Sequence, residues 1–328
     1  MKVGLLDTSY GSDNDGDTII VDAILNRFPS FRRGPRLPTH RHLKWTERRI
    51  AAQSDALVVT GTNILSSQMR PDRQWKLSTM TLKAISKKVV FLGVGWRQYQ
   101  PDPDQLNTSL LNSLLHPDLP VSARDEYTNS KLKRIGIDSL NTGCPTTWGL
   151  PEVMGPIGYS SECVFTFTSY NPDRNHDPEL ISRLCAKYEM VHIWPQGSDD
   201  QKNVQKMNLP RNAHLLPRGI ESLDNALVDR DYIGTRLHAG IRAAQLGRPS
   251  LVVAVDNRAV EIGRDTGFPV VQREAGITAF EERFAQLCEQ NTRISINHAD
   301  ITKWTKCFEK LLATSPPVHA GNECETSR

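Results

Sequence analysis

Two kinds of apolar pattern alternate along this chain. Short, nearly unbroken apolar runs occur at 3–7, 56–60, 89–95, 121–124, 163–168, 190–194 and 250–255. Runs of this length bounded by glycine, proline and small polar residues predict buried strands. Between them, apolar positions recur at helical spacing over 18–25, 45–53, 80–86, 178–188, 277–289 and 301–313, with a further helix ending near Ile135. Strands that are apolar on both faces and alternate with helices predict parallel sheets covered on either side. The stretch 142–160 carries Pro145, Gly149, Pro151, Gly155, Pro156 and Gly158 and reads as a linker. The expected division is 1–150, 151–314, and a tail at 315–328 that is expected to be disordered. The predicted fold class is α/β, with two Rossmann-like domains facing a cleft, the arrangement called GT-B.

The segment 231–255 has the clearest punctuation. Tyr232 and Ile233 end a strand, Gly234 turns the chain, and Thr235 is expected to cap a helix. Leu237, Ile241, Ala244 and Gln245 follow at helical spacing until Gly247 and Pro249 stop it. Arg236 and His238 then fall in the first helical turn, just past the carboxyl end of a strand. Open α/β sheets bind ligands at that end. Free amides there favour an anion, Arg236 adds a bidentate fork, and His238 adds a group that exchanges a proton near neutral pH.

Other stretches add candidates of lower specificity. Asp13-Asn-Asp-Gly-Asp17 suggests a calcium loop, but alignment on Gly16 puts Gly11 at the first ligand position and Asp22 at the last, so that pattern fails. The loop suits sugar hydroxyls or helix capping by Asp15 or Asp17. Gly93-x-Gly95 lacks the third glycine of a dinucleotide fingerprint. Residues 27–49 hold Arg27, Arg32, Arg33, Arg36, Arg41, Lys44, Arg48 and Arg49 against Glu47 alone. This basic stretch, kept partly irregular by prolines, is a candidate for peripheral contact with an anionic membrane or an acidic glycan.

Composition narrows the classes. The 328 residues are 38% hydrophobic and 23% charged, as expected of a soluble globular chain. A net charge of +3 makes no case for nucleic acid. No run is long enough to cross a bilayer, and the N-terminus reads as a strand and not a signal peptide, so a cytoplasmic location is expected, with membrane contact at most peripheral. The six cysteines are scattered without ligand spacing, so neither a zinc site nor a disulfide framework is expected. Walker A, His-Glu-x-x-His and Gly-x-Ser-x-Gly sequences are absent.

The run Gly234-Thr-Arg-Leu-His-Ala-Gly-Ile-Arg-Ala-Ala resembles the Arg-Leu-His signature of the polysaccharide pyruvyl transferases. Asn14-Asp-Gly-Asp17, Ala123-Arg-Asp-Glu126 and Asp256-Asn-Arg-Ala-Val-Glu261 resemble further family segments, in the family's order, from about residue 2 to about residue 271. Thr62 and Asn63 depart from the glycine run usual in the family. The resemblance implies the same GT-B-like fold, with the acceptor on the first domain and the donor on the second. It implies transfer of the enolpyruvyl group of phosphoenolpyruvate to a sugar, or to a lipid-linked glycan, closing a pyruvate ketal. That chemistry needs two places for anions, a proton for the methylene carbon, and removal of protons from two hydroxyls. His238 and Arg236 are the expected catalytic residues. Thr235, Leu237, Arg258, Arg124, Asn14, Gly16 and Asp17 are expected to bind substrate. Phosphoenolpyruvate is a co-substrate, and neither a resident cofactor nor a metal is expected. Two other functions fit the pattern: a nucleotide-sugar glycosyltransferase of the same build, and a catalytically silent glycan-binding protein.

Overall fold

A computed structural model describes residues 1–69 and 75–313. The expected tail at 315–328 lies outside the described residues. In the first half, strands β1 (Val3–Asp7), β2 (Arg36–Pro38), β3 (Ala56–Thr60) and β4 (Val89–Leu92) form a parallel sheet in the order β2-β1-β3-β4. A parallel pair, β5 (Val121–Ala123) and β6 (Ser139–Asn141), continues it through a bridge between Val94 and Ala123. All five residues of β3 are buried, which is why that strand reads as an unbroken apolar run.

After a short strand β7 (Val153–Met154), the second half lays down β8 (Glu162–Thr166), β9 (Met190–Ile193), β10 (Ala213–Leu215), β11 (Asp231–Gly234), β12 (Ser250–Ala254) and β13 (Val270–Gln272). They form one parallel sheet in the order β10-β9-β8-β11-β12-β13. This is the doubly wound order in which the direction of winding reverses between the first and fourth strands of the set. Gly234 ends β11 against β8 so closely that a Cβ there would lie 2.3 Å from Thr166 Oγ1. The last strand, β14 (Thr292–Arg293), pairs antiparallel with β7, so the expected linker is partly ordered into a ribbon.

One apolar core belongs to both halves. Ile19, Ile24 and Phe28 of the first half share it with Leu237, Ile241 and Ala244 of the second, and with Trp304 and Phe308 of the C-terminal helix His298–Ala313. That helix crosses back to the first half. Trp304 donates to the Pro120 carbonyl at 2.9 Å, and Phe308 meets the rings of Phe28 and Phe31, each at 5.7 Å. On the opposite side two seams of hydrogen bonds join the halves. Gln196 donates to Asn14 at 2.7 Å and Arg218 to Asp13 at 2.8 Å in one; Tyr99 donates to Glu261 at 2.6 Å and Asn257 to the Trp96 carbonyl at 3.1 Å in the other.

Several sequence expectations need correction. The first helix is Asp15–Arg27, and Asn14 caps it by accepting from the Gly16 amide at 3.2 Å, so neither Asp15 nor Asp17 is the cap. Thr235 is not a cap either: the helix is Leu237–Gln245, Arg236 holds the cap position, and no side chain closes it. The basic stretch is more ordered than its prolines suggest. It contains β2, Arg36 pairs with the buried Asp7, and Arg41 pairs with Glu47 at 2.6 Å. The helices Gln105–Leu114, Ser198–Gln205 and Asn257–Thr266 were not expected, because polar residues fill most of their positions.

Candidate active site

The winding reverses between β1 and β3 in the first sheet and between β8 and β11 in the second. Loops at the carboxyl ends of these strands face one another across a cleft of about 1230 Å³. Asn14, His40, Asn63 and Arg97 line it from the first half; Tyr170, Asp200, Arg236, Asp256 and Arg258 line it from the second.

Arg236 is at the cleft, but its fork is occupied. Its Nε and Nη2 both reach the Asp200 carboxylate, at 3.0 and 2.6 Å to Oδ2, and Nε also donates to the Phe167 carbonyl at 3.0 Å. Asp200 is fully buried and also accepts from the Ser169 amide at 2.9 Å. A guanidinium neutralised in this way fixes the loop after β8 to the start of the helix Leu237–Gln245. Arg236, expected to grip a donor anion, thus lines the cleft with its fork on Asp200. Thr235 and Leu237 also serve packing. The Thr235 hydroxyl bonds Thr168 at 2.8 Å, and Leu237 points into the shared core.

His238, two residues further on in the first turn, is buried, with Cys144 Sγ 3.8 Å from its Nε2. Burial pushes its pKa down to about 3, and the charges of Arg258 and then Arg124 push the same way, while Asp256 opposes them. The imidazole is thus neutral, under the positive charge of one guanidinium from each half. Arg258 is held by Asp256, which accepts from its Nε at 3.1 and 3.0 Å and caps the helix Asn257–Thr266. Burial would raise the Asp256 carboxyl, but Arg258 and Tyr170 hold it well below the usual carboxylate range. A pairing of Arg258 with Glu261 does not form; Glu261 binds Tyr99 and Arg264 instead.

Arg124 comes from the end of β5 and is 1% exposed. Gly95 makes room for it, since a Cβ there would sit 2.2 Å from Nη2. Nη2 donates to Asn63 Oδ1 and lies 3.2 Å from Asp125, whereas Nε and Nη1 are buried without a hydrogen-bond partner among the described residues. Asn14 reaches the cleft wall but is committed to capping and to Gln196. Gly16 packs under the Gln196 amide. Asp17 is buried, accepts from Ser12 at 2.7 Å, and is raised above the carboxylate range chiefly by burial.

The residues missed from sequence were the partners. Asp200 and Tyr170 each follow a strand or open a helix at the carboxyl edge, and that position was their only available signal; Asp256 opens a quoted segment from which Arg258 alone was taken as a candidate. Asn63 was noticed only as a departure from a glycine run.

Two parallel α/β halves presenting their carboxyl edges to one polar cleft define a protein of GT-B-like fold. Solved structures with that build align over nearly the whole chain. A UDP-GlcNAc 2-epimerase from Methanocaldococcus jannaschii, in complex with UDP-GlcNAc and UDP, is similar with a TM-score of 0.56 and 12% identity over 95% of this chain and 100% of that one. The S. aureus MnaA–UDP co-structure gives 0.54 and 14% over 96% and 99%, and these identities establish the fold alone. Comparison with curated sequences gives no match. Residues 12–257 match the model of the polysaccharide pyruvyl transferase family, and the chain belongs to that family. It is therefore a member of a transferase family of polysaccharide modification.

Proposed function

We propose that this protein transfers the enolpyruvyl group of phosphoenolpyruvate to a sugar of a polysaccharide or glycan precursor and closes a pyruvate ketal. The observation that carries the reading is that Arg124 and Arg258, one from each half, both bear on His238 through their charges, with two Arg124 nitrogens buried without hydrogen-bond partners among the described residues. A desolvated guanidinium edge favours a carboxylate or phosphate strongly. The donor carries both. In the proposed reaction the methylene carbon gains a proton and one acceptor hydroxyl adds to the adjacent carbon, losing its own proton. Phosphate then leaves, and a second hydroxyl takes its place with loss of another proton. Arg124 and Arg258 hold the donor's charges, and His238, made basic by the bound dianion, moves a proton. With arginines in the cation role, the reading requires neither metal nor resident cofactor.

The test is incubation with phosphoenolpyruvate and a panel of glycosides, read by mass spectrometry. The expected result is an acceptor that has gained pyruvate as a ketal, with release of phosphate. Thermal stabilisation by a UDP-sugar but not by phosphoenolpyruvate, without any ketal, would replace the reading with nucleotide-sugar chemistry.

The acceptor's setting is part of the proposal. No described helix is long and apolar enough to cross a membrane. In the basic stretch, Arg36 and Arg41 are paired internally, whereas Arg27, Arg33 and Arg49 are exposed and available to an anionic surface. Salt-sensitive sedimentation with anionic vesicles, lost on neutralising Arg33 and Arg49, would support lipid contact; its absence in the native protein would remove it.

A further inference from the structure

A tyrosine that no family motif includes stands between the two arginines of the second half. Tyr170 follows β8 and is 55% exposed, so it contributes little to any core. Its hydroxyl lies 2.6 Å from Asp256 Oδ2 and also contacts Arg258 Nη2. A phenol can do both at once, donating to the carboxylate and accepting from the guanidinium; phenylalanine can do neither. The ring centroid is 5.0 Å from the Arg236 guanidinium carbon and 5.6 Å from that of Arg258, within cation–π range of both.

The loop that carries Tyr170 is pinned on each side. The Ser169 amide donates to Asp200, Asn171 Nδ2 donates to the Val255 carbonyl at 2.8 Å, and Arg273 Nη1 donates to the Asn171 carbonyl at 2.7 Å. A chain of alternating charge results: Asp200, Arg236, the Tyr170 ring, Arg258, Asp256. Arg258 and Asp256, at its far end, act on His238 through their charges. Asp256 alone is a poor anchor for aiming Arg258, because the two residues are neighbours at one helix start and move together.

We infer that Tyr170 is a positioning residue that fixes the direction of the Arg258 guanidinium toward the cleft and so sets the affinity for the anionic donor. This rests on the proposed donor site. Removing the hydroxyl leaves Arg258 charged but free to swing, so donor binding weakens in the ground state and the transition state alike. Such a loss appears in KM and spares kcat.

The experiment compares the native protein with Tyr170→Phe and Tyr170→Ala. Steady-state kinetics give KM and kcat for phosphoenolpyruvate, and melting shifts are followed with phosphoenolpyruvate and with inorganic pyrophosphate as a simple anion probe. Tyr170→Phe is expected to raise the donor KM roughly tenfold, the scale of one charge-assisted hydrogen bond. Its kcat should stay within about twofold, and its own melting temperature should be unchanged. Tyr170→Ala should raise KM further, because the ring is gone as well. A native KM in Tyr170→Phe overturns the inference, and so does a fall in kcat at unchanged KM. If the native protein responds to pyrophosphate and not to phosphoenolpyruvate, and Tyr170→Phe loses that response, the positioning role stands and the donor assignment falls. If the native protein responds to neither anion, both fall.

Discussion

At the scale of single residues, the site is governed by which charges are already spent. Arg236 reads as the donor's anchor from its place in the motif, and in the structure its fork lies on Asp200. Arg124, expected to bind substrate, lies 3.2 Å from Asp125 through Nη2, yet its Nε and Nη1 have no hydrogen-bond partner among the described residues. Spacing along a chain reveals where a side chain starts and not what meets its far end, and Asp200 is 36 residues from Arg236. His238 carries the sharpest expectation. Unfolded, it takes up a proton near pH 6.5; folded, only near pH 3. Between those values the unfolded chain binds the extra proton, so acidification below about pH 6.5 lowers stability, by up to about 1.4 kcal/mol per pH unit from this group. Buried acids with raised pKa act in the opposite sense at lower pH, so the informative quantity is the difference from His238→Gln between pH 5 and 7. That variant should lose the slope, and its turnover should fall by about 10²–10⁴. An unchanged slope in the variant would mean that His238 is hydrated and titrates normally.

At the scale of elements, the strands and the long amphipathic helices were legible because burial on both faces, or on one, leaves a period in the sequence. Trp45–Gln53 and Ala56–Thr60 were expected at their observed bounds. Polar helices and three-residue strands leave almost no period. The strand Arg36–Pro38 was hidden among arginines and prolines because it lies at the sheet's edge and pairs only with β1. Ser198–Gln205 was hidden because only Asp200 and Val204 are buried along it, and Asp200 ties it to the start of the helix Leu237–Gln245. That tie has a measurable strength. Arg236→Ala leaves a buried carboxylate without its partner and should destabilise the fold by about 3–5 kcal/mol. Arg236→Ala with Asp200→Asn should recover a large part of it, as chemical denaturation of the single and double variants would show. Equal stability of all three with the native protein would place Arg236 outside the structural network and return it to the donor site.

At the scale of the whole molecule, the halves are not two beads on a linker. They share a core behind the cleft, closed by the C-terminal helix, and the expected linker is clamped by pairing with Thr292–Arg293. Phe308 is the test of that joint. It is buried among Phe28, Phe31 and Trp304. Phe308→Ala should cost about 3–5 kcal/mol and lower a single melting transition. Two separated transitions would show instead that each half melts alone. The buried edge of Arg124 has a last consequence, for enzymology. On the proposed reading, the group that takes the donor's charge also takes the phosphate the reaction releases. Turnover on the proposed pathway should therefore slow as product builds up, competitively with the donor. A phosphate-buffered assay would report an inhibited enzyme, so activity should be sought in buffers without oxyanions.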